Sequence, residues 1–99
     1  MLEIVEELEE IRQSVERILS TRKGEWFLNT EFGLNYDNLL TKQFDRELIE
    51  LDVREAILQE ERIDEVINID IEHDRQDRKV KIKFVARVQS DILEGEVDI

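Results

Sequence analysis

Two runs near the C-terminus constrain this chain more than anything else in it. Ile67, Ile69 and Ile71 alternate with Asn68, Asp70 and Glu72; Val80, Ile82, Phe84 and Ala86 alternate with Lys79, Lys81 and Lys83. A period of two marks a strand with one buried face. With Asp74-Arg75-Gln76-Asp77 as the loop of an antiparallel hairpin, Glu72 faces Lys79, Asp70 faces Lys81 and Asn68 faces Lys83. On the other face Ile71 meets Val80, Ile69 meets Ile82 and Ile67 meets Phe84. Both faces are satisfied in one register, and a slip of one residue spoils both. A third strand is expected over about Leu93 to Ile99, where Leu93, Gly95, Val97 and Ile99 alternate with acids.

The first half reads as helical. Leu2, Val5, Leu8, Ile11, Val15, Ile18 and Leu19 recur at steps of three and four and form one apolar stripe. Acids crowd its first turns and Arg12, Arg17, Arg22 and Lys23 come later, as the helix dipole favours, with Gly24 as a stop signal. A second helix is expected from about Asp45 to Glu60, with Ile49, Val53, Ala56 and Ile57 on one face. Leu51 and Leu58 fall on nearly the opposite side, so this helix is either sandwiched within the domain or offers a side to a partner. Sandwiching is the expectation. Between the helices, Gly24 to Leu40 holds the only Trp, the only Tyr and two of the four Phe. Trp26-Phe27-Leu28 reads as a short strand there, in a small hairpin or an ordered loop pinned by aromatics. The expected fold is α+β: two helices packed on one face of a C-terminal three-stranded meander, with a short hairpin between them, all in a single domain spanning residues 1–99.

Composition narrows the function. Acids outnumber bases 26 to 14, giving a net charge of −12, which argues against nucleic acid because phosphate binding needs a basic stripe. There is no cysteine, so disulfides and thiolate metal sites are excluded. No apolar run approaches a membrane span, and MLEIVEELEE is acidic where a signal peptide is basic, so a soluble protein used without export by the general secretory route is expected.

Chemistry finds little foothold. Among 26 acids some pair will always resemble a glycosidase couple, but the acids lie on solvated helix faces or opposite lysines, where they stay ionised. Asp70, Glu72 and Asp74 have the spacing of a calcium loop, yet Arg75 replaces its glycine and Lys81 its bidentate acid. His73, the only histidine, reads as a surface residue near the hairpin tip, and Ser14, Ser20 and Ser90 show no neighbouring base. No catalytic, cofactor or metal residue is assigned, and no small-molecule substrate or membrane partner. What remains is a sheet edge. The last strand has no Pro or Lys to blunt it, and Gly95 leaves its backbone accessible, while Glu94, Glu96 and Asp98 supply charge. Protection of this edge and acceptance of a partner strand are both open at this point.

The ordered set Ile18-Leu19-x-Thr21-Arg22-x-Gly24-Glu25-Trp26, Phe32-Gly33-Leu34, Asp52-Val53-Arg54-Glu55-Ala56-Ile57 and Glu60-Glu61-Arg62-Ile63 resembles the baseplate sheath-initiator proteins of contractile phage tails. This family was once labelled "lysozyme-like" and has relatives in type VI secretion baseplates and defective prophage tails. The resemblance runs from about Ile11 to Ile99. It implies a non-enzymatic assembly role in the tail baseplate, with assembly in the bacterial host cytoplasm. The implied partners are baseplate wedge proteins and the tail sheath protein, with the tail tube as a further candidate. Strands of the first sheath ring would add to the C-terminal sheet, on a platform of Leu93, Gly95, Val97 and Ile99. The family's Glu-Pro-Arg triplet, which binds the helical core of the wedge, corresponds here to Glu60, Glu61 and Arg62, with glutamate in place of proline. The alternatives are a muralytic, lysozyme-like hydrolase and an anti-adaptor-like regulator that shields a proteolysis substrate.

The triplet bears on how the chain turns at a junction without Gly, Asn or Pro. Arg62 would be a fork for a partner carboxylate or carbonyl, and Glu60 would steady that fork or receive a partner cation. The competing reading is that Arg62 only caps the second helix. Without the proline, that helix is free to run further.

Overall fold

The computed structural model describes residues 2–39, 44–74, 76 and 79–99, with the side chains of residues 2–4 excepted. Two helices and three strands follow in the order α1 (Leu2–Ser20), α2 (Arg46–Ile57), β1 (Glu65–Asp74), β2 (Lys79–Val88) and β3 (Asp91–Asp98). The strands form an antiparallel sheet in the order β1-β2-β3. Side by side on one face, α1 packs over β3 and α2 over β1. The α+β architecture and the meander are as the alternation requires.

The core is built from the stripes. Ile11, Val15, Ile18 and Leu19 of α1 meet Ile49, Val53, Ala56 and Ile57 of α2. Beneath them lie Val66, Ile69 and Ile71, then Val80, Ile82, Phe84, Ala86 and Val88, then Leu93 and Val97. Asp45 caps α2, its Oδ1 accepting from the backbone N–H of Glu47 (3.1 Å) and Leu48 (3.4 Å). Leu51 and Leu58 are not sandwiched: they remain 58% and 48% exposed. Both helices contribute one face to a single cluster, and no described element lies beyond α2 to cover its other side.

The hairpin keeps its faces but not its partners. Glu72 pairs with Lys81, Asp70 with Lys83, Ile71 with Ile82 and Ile69 with Phe84, a register two residues from the expected one. A two-residue slip preserves parity, so apolar still meets apolar and acid still meets base. Asp74 therefore belongs to the ladder, opposite Lys79, rather than to the loop; Arg75 and Asp77 of the expected loop lie outside the described residues. Asn68 faces Val85 and not Lys83 by the same two-residue shift, and a bulge between Val66 and Asn68 makes Ile67 the extra residue. Ile67 is 46% exposed and Val66 takes its place in the core. His73 is half-buried on the helix side, stacked on Phe44 with ring centroids 4.3 Å apart, so it is not the surface residue expected.

Of the two expectations for the segment between the helices, the ordered loop is the one observed. Trp26, Phe27 and Leu28 form no strand and are exposed. The loop is closed by a parallel bridge at Arg22 and Leu34, with Lys23 N–H donating to Leu34 O (2.8 Å) and Leu34 N–H to Thr21 O (2.8 Å). Gly33 sits at φ 110°, and a Cβ there would overlap the Thr21 carbonyl, so glycine is required. The aromatic pins are Trp26 edge-on to Phe32 (5.3 Å) and Tyr36, whose hydroxyl donates to Leu19 O (2.9 Å).

Candidate functional site

The residues expected to meet partners lie in two regions: the junction after α2 and the sheet edges. At the junction, α2 ends at Ile57 and does not run on to Glu60. Tight turns replace the missing turn residues: Gln59 N–H donates to Ala56 O, Glu60 N–H to Ile57 O and Ile63 N–H to Glu60 O. Glu60 then gathers the bend around its carboxylate. Its Oε1 accepts from the Arg62 backbone N–H (3.2 Å) and Nε (2.9 Å), while Oε2 accepts from Arg62 Nη2 (3.2 Å) and, across the core rim, from Ser14 Oγ (2.5 Å). Only 10% of the Glu60 side chain is exposed, against 41% for Arg62. Bonded chiefly to Arg62 and then to Ser14, the Glu60 carboxyl is pulled down to about 2 against a weaker opposing effect of burial. Arg62 also approaches Glu10 of α1 at 3.7 Å. Among the described residues its hydrogen bonds go to Glu60 and none to a carbonyl of the last turn of α2. Glu61 is exposed and bonded to no described side chain.

Gln59, one residue earlier, is a structural clasp that the sequence does not announce. Its amide donates to Gly33 O (2.9 Å) and Glu31 O (3.2 Å) and accepts from Gly33 N–H (3.0 Å). The interhelical loop is thus tied to the same bend that presents Arg62.

The two sheet edges differ. On β1, Arg46 Nη1 donates to Ile71 O (2.6 Å) and Arg54 Nη1 to Val66 O (3.2 Å). The two arginines lie eight residues apart on α2 and close outward carbonyls of this edge. On β3 the outward groups follow from parity. Val80 and Ile99 exchange both backbone bonds, Ile99 N–H to Val80 O (2.8 Å) and Val80 N–H to Ile99 O (3.2 Å). Hydrogen-bonded pairs recur every second residue, so Ile82 with Val97, Phe84 with Gly95, Ala86 with Leu93 and Val88 with Asp91 are bonded likewise. The backbone groups of Leu93, Gly95, Val97 and Ile99 are therefore spent on β2, and their side chains lie on the helix face. Outward N–H and C=O groups belong to Ile92, Glu94, Glu96 and Asp98. Gly95 serves packing rather than access: a Cβ there would overlap the Phe84 ring, which lies across the strand next to Arg12.

Among the described residues, the carboxylates displaced from their ordinary range, Glu9 and Glu60, are both lowered, whereas a general acid must be raised. No cluster of metal-ligating side chains occurs among the described residues.

A crystal structure of a "putative tail lysozyme" from Geobacter sulfurreducens has a similar fold, with TM-score 0.76 and 24% identity over 92% of this chain and 87% of that one. At that identity the likeness is one of fold. No curated protein matches. The sequence itself matches the contractile injection system sheath initiator family over residues 1–91, a span that takes in both helices, the clasped junction and the first two strands. With nearly the whole described fold inside that match, the chain belongs to the contractile injection system sheath initiator family.

Proposed function

We propose that this protein docks on the baseplate wedge through the Glu60–Arg62 junction and nucleates sheath assembly by accepting sheath strands along β3. The observation that carries this reading is the asymmetry of the edges. Arginines of α2 occupy two outward carbonyls of β1, at Ile71 and Val66, while β3 offers a regular row of outward N–H and C=O groups. Strand addition satisfies such a row directly. The strand is the one expected from the sequence, but the residues that would receive the partner's backbone are Ile92, Glu94, Glu96 and Asp98. At the wedge side, Glu60 holds the Arg62 guanidinium in a fixed direction with its outer nitrogen turned to solvent and Glu10.

Amide hydrogen exchange with and without the cognate sheath subunit tests this. New protection at Ile92, Glu94, Glu96 and Asp98 is expected, alternating with amides already protected by β2. Glu96→Pro, which removes an outward N–H, should keep the fold and lose sheath recruitment. Val97→Pro cuts the β2–β3 ladder instead and should unfold the sheet. Protection at Leu51 to Arg62 with none on β3 would assign the sheath contact to the helix side and sink the strand reading.

A further inference from the structure

Resting on the reading of β3 as a strand acceptor, the charge pattern of the sheet's outer face points to the chemistry of the incoming strand. That face runs in stripes. β1 presents Asp70 and Glu72, β2 presents Lys79, Lys81, Lys83 and Arg87, and β3 presents Glu94, Glu96 and Asp98. The stripes are not evenly satisfied. Lys83 Nζ reaches Glu72 (3.2 Å) although Glu96 is its partner on β3, and Arg87 Nη2 reaches Glu65 (3.0 Å). Both ion pairs that β2 makes among the described residues thus go to β1. Glu94 faces Val85, and among the described residues Glu94, Glu96 and Asp98 make no ion pair. The open edge of the sheet is flanked by an acidic row in which Glu94 faces no cation, Glu96 faces a lysine bonded to Glu72, and Asp98 faces Lys81 without an ion pair among the described residues.

We infer that β3 selects a strand bearing Lys or Arg at three alternate positions, in register with Glu94, Glu96 and Asp98, and apolar residues at the positions between. Opposite charges directly across a strand pair stabilise it and like charges oppose it. The alternate residues of such a strand fall on the helix side, the side on which Leu93 and Val97 are buried and α1 packs over β3, so apolar side chains there extend the core. A second copy of this chain is disfavoured by the same rule, since two β3 edges would set glutamate against glutamate. The acidic row therefore excludes self-pairing and admits a basic partner strand with one device.

The probes are a short alternating Lys-Val peptide and its alternating Glu-Val counterpart, capped at both ends, added to the full chain. Amide exchange reads edge occupancy and fluorescence anisotropy reads affinity. Expected is protection of Ile92, Glu94, Glu96 and Asp98 by the Lys-Val peptide, with about tenfold tighter binding than the Glu-Val peptide at low salt. The preference should reverse in the E94K/E96K double variant, whose charges project from the solvated face and leave the core untouched. Equal protection by both peptides would overturn the charge selection and leave strand acceptance standing. Binding of the Lys-Val peptide without protection of these amides would overturn both, because the peptide would then be held by charge alone.

Discussion

Replacing Glu60 by glutamine tests whether charge holds the junction in shape. The wild-type carboxyl titrates near 2 against an ordinary value of 4.5, and Arg62 is the leading cause. At about 1.36 kcal/mol per pKa unit, that difference has an upper bound of about 3 kcal/mol. Arg62 stands largely in solvent, and screening there reduces the figure to about 1–2 kcal/mol. Because the folded-state pKa lies below the unfolded one, the contribution is complete above about pH 5 and is lost as pH falls toward 2. Glu60→Gln keeps the shape and an acceptor but not the charge. Urea unfolding followed by circular dichroism should place the variant about 1–2 kcal/mol below wild type at pH 7, with the two curves converging by about pH 2. A difference that stays constant across this range would refute the ionic account and leave only packing around Ser14. A negligible difference at pH 7 would mean that solvent screens the pair completely.

Two further perturbations separate forces that act elsewhere. Gly24 and Gly33 both have positive φ, but only at Gly33 would a Cβ meet backbone. Gly24→Ala should cost about 1 kcal/mol from strain alone and Gly33→Ala at least about 2 kcal/mol, as read by thermal unfolding; equal costs would refute the steric assignment. The double variant R46A/R54A uncaps the Ile71 and Val66 carbonyls, and sedimentation should then show concentration-dependent association absent from wild type. A variant that stays monomeric would show that the arginines are not what guards this edge.

Much of the fold was legible because period is a property of sequence. Ile69, Ile71 and Val80 through Ala86 declare their faces, and parity survives any even shift, which is also why the pairing came out two residues off. The bulge at Ile67 lies near the start of β1, and no local signal marks it. Glu60 and Arg62 were legible as neighbours in the chain. Ser14, 46 residues from Glu60, was not, nor was the grip of Gln59 on Gly33 or of Arg46 and Arg54 on β1. Each of these bonds a side chain to a group that only tertiary packing brings near. Which alternates of β3 turn their backbone groups outward was hidden for a related reason: hydrophobic pattern reports where side chains point, while backbone donors point along the perpendicular direction in the sheet plane.

That perpendicular geometry has a mechanical side. The β2–β3 ladder runs from the Gln89-Ser90 turn to Ile99, and its bonded pairs lie across the strands. A strand laid along β3 and pulled lengthwise would load every rung at once, in shear, so that no rung can open before its neighbours. Pulled outward from one end, the same rungs would part in sequence. A strand added here would resist tension along its own length and yield to peeling.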